Sequence, residues 1–107
     1  MKLNGISVSA GVAVGQIVNI ETTPSSEQSC IIVTRNFTPD IIVNYRNAKG
    51  IVSENGGATC HAAIIARTMG IPCISGVNNA TTLLQTGKKG YLLARELLEL
   101  GEIEVIE

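Results

Sequence analysis

Short aliphatic runs, each closed by a glycine or a polar cluster, alternate along this chain with two longer stretches of helical spacing. ISVSAGVAVGQIVNI (residues 6–20) reads as extended segments: Val and Ile favour strands, and Gly5, Gly11 and Gly15 permit bends. ETTPSSEQS (21–29) is a polar surface loop with a proline, and CIIVT (30–34) is a buried strand. TPDIIVNYRNAKG (38–50) predicts a helix. Thr38 or Asp40 caps it, Pro39 suits its first turn, and Gly50 stops it, with Ile41, Ile42, Tyr45 and Ala48 on one face.

IVS (51–53) is a further short strand, and GGATCHAAIIARTMG (56–70) is a glycine turn followed by a second helix that ends at Gly70. CIS (73–75) reads as a strand and NNATTLLQTG (78–87) as a capped helical turn. YLL (91–93) and the alternating EIEVI (102–106) read as closing strands, while ARELLEL (94–100) between them has the character of a helix. Strand–helix–strand–helix–strand from Cys30 to Ser75 gives an α/β class: a small mixed sheet with packed helices, plus an additional β layer from the first and last strands.

Composition narrows the picture. The 107 residues are one domain's worth, read as a single unit over 1–107. Apolar residues make up 45% but aromatics only 3%, so the core is aliphatic. The formal net charge is −1 with no basic cluster, which argues against a nucleic-acid partner. No stretch is apolar enough to span a membrane, and the polar start lacks the order of a signal peptide, so a cytoplasmic location is expected. Cys30, Cys60 and Cys73 are irregularly spaced; with one histidine and no Cys-x-x-Cys pair, neither a disulfide framework nor a metal site is expected. Cys30 and Cys73 read as small buried hydrophobes.

The chemistry concentrates in GGATCHAAIIAR. Gly56 and Gly57 allow positive φ and close approach. The helix start that follows presents unpaired N–H groups and the positive end of the helix dipole, a natural anion site. Thr59 either caps the helix or donates its hydroxyl to the anion. His61, the one histidine, sits about two residues in, and a neutral imidazole there is a competent nucleophile. The group it would take up is a phosphoryl, which the same helix end stabilises. Cys60 points about 100° away from its neighbour and makes a poor nucleophile–base pair with it. A cysteine enzyme or redox protein built on Cys60 is one competing reading; a docking module using the face near Ala62 and Ala66 is another.

GGATCHAAIIARTMGIPCISG closely resembles the phosphohistidine motif of the PEP-utilising enzymes, from Gly56 and Gly57 through Thr59, Cys60, His61, Ala62, Ala63, Ile64, Ala66 and Arg67 to Gly70, Ile71 and Pro72. NGISVSAGVAVGQIV and IIVTRNFTPD are similar to the family's opening segment and to its strand and Thr-x-Pro turn. The resemblance implies the swivelling β/β/α phosphohistidine domain. It implies His61 as the residue that carries the phosphoryl group, with Gly56, Gly57, Thr59, Cys60 and Arg67 as phosphate-stabilising candidates, Arg67 for charge or for packing. It also implies partners, an ATP-grasp nucleotide-binding domain and a PEP/pyruvate barrel, on separate chains or lost by truncation. Mg²⁺ would belong to those partners, with no cofactor held by this domain, which is incomplete as an enzyme on its own. The alternative is a regulatory or docking module of the same fold. ARELLEL departs from the family's usual Asp-Gly hairpin, while Gly101 and Ile103 fit its ending.

Overall fold

The computed structural model describes residues 1–22, 29–56 and 61–106. Seven strands and three short helices follow in the order β1 (Lys2–Ser9), β2 (Gly11–Asn19), β3 (Cys30–Thr34), α1 (Pro39–Asn44), β4 (Gly50–Ser53), α2 (His61–Met69), β5 (Cys73–Ser75), α3 (Ala80–Leu83), β6 (Lys89–Ala94) and β7 (Leu100–Val105). The strands form one closed barrel in the order β1-β5-β4-β3-β2-β6-β7. Strands β2, β3, β4 and β5 run parallel to one another, and the remaining pairings are antiparallel. The expected additional β layer is therefore the antiparallel half of the same sheet.

The two halves differ in sequence because they bury different faces. In β3, Ile31 and Val33 point into the barrel with Ile17, Val52, Ile74 and Leu92. Ile32, between them, points outward into a second cluster with Ile51, Cys73, Tyr45, Ala63 and Ala66. A parallel strand covered on both sides reads as an unbroken apolar run, hence CIIVT. The antiparallel strand β6 has one wet side and alternates: Gly90, Leu92 and Ala94 are buried, Lys89 is exposed and Tyr91 and Leu93 are half-buried.

Both α1 and α2 contribute to the outer cluster. Val77, Ala80 and Leu84, around α3, join the inner one. The buried face of α2 is Ala62, Ala63 and Ala66, small enough to bring the helix close to β5, β1 and β4. Gly70, at φ 73°, ends it as expected. Cys30 and Cys73 are fully buried.

Two expectations need correction. The first helix ends at Asn44 rather than running to Gly50, and Tyr45 leaves helical geometry at φ −135° and ψ 50°. Tyr45 and Ala48 still reach the core, but through a turn. Gly50 belongs to β4, where a Cβ would lie 2.6 Å from Leu92 Cδ2, so close packing and not helix termination requires the glycine there. Thr38 does occupy the cap position of α1, yet its hydroxyl donates to Asp40 Oδ1 and not to the helix backbone.

The second concerns ARELLEL, which the sequence left open to a helix: residues 95–99 form the turn joining β6 to β7. Its backbone is held on β1: Leu98 N donates to Ser7 O at 2.7 Å, Ser7 N to Glu99 O at 2.7 Å, and Ser7 Oγ to Arg95 O at 2.6 Å. Leu98 adopts a left-handed φ of 70°, and Leu97 and Leu98 are left exposed.

Candidate functional site

The strands β3 and β4 are parallel neighbours, so their C-terminal ends open on the same side of the barrel, where the chain must leave both before turning into helices. The C-terminal ends of parallel strands are the usual place for a ligand site in α/β folds. Here the two exits enclose a cavity of about 350 Å³. Asn36, Phe37 and Thr38 line it from the β3 exit, Ser53, Asn55 and Gly56 from the β4 exit, and His61 and Ala62 from the start of α2.

Local bonding fixes both walls. Glu54 N donates to Thr34 O and Asn55 N to Arg35 O, each at 2.9 Å, so the β4 exit continues the ladder past the strand's end. Ser53, almost fully buried, donates its hydroxyl to Asn55 O at 2.5 Å. Gly56 has φ 117°, a conformation closed to residues with a Cβ, so the glycine at this bend is a backbone requirement. Phe37, 5% exposed, roots the opposite wall in the outer cluster.

His61 is the first described residue of α2 and is exposed. Ala62 and Ala63 behind it are buried, so the backbone of this first turn is anchored while the imidazole faces solvent and the cavity. Of the residues singled out from the sequence, His61 and Gly56 are brought together here. Gly57, Thr59 and Cys60 lie outside the described residues. Arg67 is not brought to the cavity. It lies six residues further along α2, a rise of about 9 Å, and its Nε donates to Val8 O on β1 at 2.7 Å.

Asn36, Ser53 and Asn55 were not singled out beforehand. The available signal was their position directly after two apolar runs that read as neighbouring buried strands; the pairing that brings them together is not written in either segment. Among the described residues no three His, Cys, Asp or Glu side chains gather as a metal site, and no helix is long and apolar enough to cross a membrane.

The family described as PEP-utilising enzyme, mobile domain, matches residues 26–95. The chain belongs to this family. Its mobile domain is 38% identical over 86 residues to the probable phosphoenolpyruvate synthase of Methanothermobacter thermautotrophicus, covering 78% of this chain and 13% of that protein. It is 38% identical over 88 residues to the phosphoenolpyruvate synthase of Pyrococcus furiosus, covering 79% of this chain and 11% of that one. The chain thus spans a small fraction of the length of these relatives. Among solved structures, Enzyme I aligns with a TM-score of 0.59 and 26% identity over 74% of this chain and 31% of that one. The Thermococcus kodakaraensis aconitase X structure aligns at a TM-score of 0.73 and 20% identity, over 100% of this chain and 99% of that chain, and shows the fold alone. The mobile domain is thus a small mixed α/β unit with a seven-stranded sheet and few helices, like the Enzyme I domain.

Proposed function

We propose that this mobile domain is a phosphoryl carrier and that His61 is the residue that takes up the group. The observation that carries the reading is the exposed imidazole at the start of the described part of α2, opening on a cavity whose walls include Asn36, Asn55 and Gly56 as well as Phe37 and Ala62. A ring nitrogen attacks phosphorus in line; the N–P bond forms as the donor's bridging P–O bond breaks, and the leaving oxygen keeps the electron pair. Transfer to the acceptor repeats the displacement in the other direction, so one phosphoryl transfer becomes two. The helix N-terminus favours the dianion on the ring. Gly57, Thr59 and Cys60 enter the reading from sequence, as the turn that supplies further amides and a hydroxyl.

A nucleotide-binding ATP-grasp domain and a PEP/pyruvate barrel are the proposed partners. They are proposed from the resemblance of the phosphohistidine motif, and the relatives, of which this chain covers 13% and 11%, are long enough to carry further domains. The described cavity lining offers no carboxylate to hold Mg²⁺; the ion that accompanies nucleotide or PEP belongs, in this reading, to the partners.

The test is to incubate the chain with its partner domains and labelled ATP or PEP. An acid-labile, base-stable phosphate on His61, absent from His61→Ala, is expected. Equal labelling of His61→Ala would overturn the reading.

A further inference from the structure

The wall of the His61 cavity formed by the β4 exit is fixed from behind by a side chain that does not itself line the cavity. Along Ser53-Glu54-Asn55-Gly56, Ser53, Asn55 and Gly56 line the cavity, whereas Glu54 reaches the other way to α3. Its Oε1 accepts from the Thr81 hydroxyl at 2.7 Å and from the Thr81 amide at 2.9 Å. Thr81 is itself immobilised. The buried Asn19 side chain donates to Thr81 O at 2.8 Å and to Leu84 O at 2.7 Å, while Ala80 and Leu84 pack in the inner core. The helix needs this outside acceptor, because its own cap residue, Asn79, makes no side-chain capping bond.

We propose that Glu54 is a positioning residue for the His61 site: through Thr81 it ties the Asn55–Gly56 wall of the cavity to α3. The proposal rests on the carrier reading for its link to phosphoryl uptake, but the tether itself does not depend on that reading. Glutamine at position 54 keeps an oxygen acceptor for both Thr81 donors; alanine keeps none. Valine at position 81 removes the hydroxyl and leaves the amide.

Two measurements on the full chain test the idea. In the first, peptide-level hydrogen exchange is followed over residues 54–62 at neutral pH. Exchange there is expected to quicken in Glu54→Ala and to return to the wild-type rate in Glu54→Gln. In the second, phosphoramidate serves as a small donor: the N–P bond forms at His61 as the reagent's P–N bond breaks and ammonia leaves. Glu54→Ala and Thr81→Val are expected to slow labelling by roughly threefold to tenfold, as misplacement of a reacting group does. The double variant should be no slower than the slower single, and Glu54→Gln should stay within about twofold of wild type. All variants are compared well below their melting temperatures.

Unchanged exchange in Glu54→Ala overturns the tether. Altered exchange with unchanged labelling overturns its role at His61. Absence of label on wild-type His61 overturns the carrier reading and, with it, the proposed role at His61; the exchange experiment then still decides whether the tether exists.

Discussion

Glu54, just past β4, and Thr81, on α3, meet so that one carboxylate oxygen accepts from both the amide and the hydroxyl of the threonine. The Thr81 hydroxyl, and after it the Thr81 amide, hold the Glu54 carboxyl below its ordinary value of 4.5. A carboxyl depressed by folding stabilises the native state above its unfolded pKa and loses that contribution as pH falls through the folded value. Glu54→Ala is therefore expected to cost about 1 kcal/mol near neutrality, the site being partly solvated. It should also flatten the fall in stability below the ordinary value of 4.5. Urea melts of both proteins at several pH values check this; parallel curves would remove the pair's role in acid sensitivity.

Arg67 gives a second expectation. With Nε on Val8 O, its replacement by alanine detaches the far end of α2 from β1 and should lower stability by about 1 kcal/mol. Labelling of His61 by phosphoramidate, per folded molecule, should stay within about twofold of wild type. A large drop in labelling with unchanged stability would return Arg67 to the phosphate.

Barrel closure depends on glycine where β1 meets β7. Gly5 and Gly101 face each other in that register. A Cβ on Gly101 would collide with Ile74 Cγ2 and sit 3.0 Å from Leu93 O. Gly101→Ala is expected to destabilise by about 1–3 kcal/mol, as overpacking does in a dense core. Thermal unfolding measures it, and a wild-type midpoint would show that the strands can part to admit the methyl group.

Leu98 holds its left-handed φ of 70° against a steric cost of about 1–2 kcal/mol. Its amide bond to Ser7 O would survive replacement. Leu98→Gly should therefore raise stability by about 0.5–1 kcal/mol, after the greater freedom of glycine in the unfolded chain is counted. Chemical denaturation decides it; a loss of stability would mean that the exposed leucine side chain packs better than its exposure suggests.

These cases show which features were legible in the sequence. CIIVT announced a buried strand and IVS a short one because a continuous apolar run carries that signal, and Gly56 with the helix after it was visible because a glycine turn and a helical period are local. The closure of β1 on β7 was not visible, since residues 5 and 101 meet only through the whole fold. ARELLEL had helical composition but was drawn into a turn by three hydrogen bonds with Ser7, a partner about ninety positions away. Gly50 looked like a helix terminator because sequence shows a glycine's freedom and not the leucine pressed against it. Asn36 and Asn55 belong to the cavity through strand pairing, and Glu54 to Thr81 through tertiary packing.

Every strand of the barrel has a neighbour on each side. Where strands are paired on both sides, as β3 is along its whole length, the sheet presents no outer row of bare amides and carbonyls on which another chain could add a strand. A domain proposed to visit more than one larger surface in turn would meet each, over those strands, through side chains and loops. Such contacts can be made and released without breaking a backbone ladder, and the barrel would leave each encounter with its own hydrogen bonding unchanged.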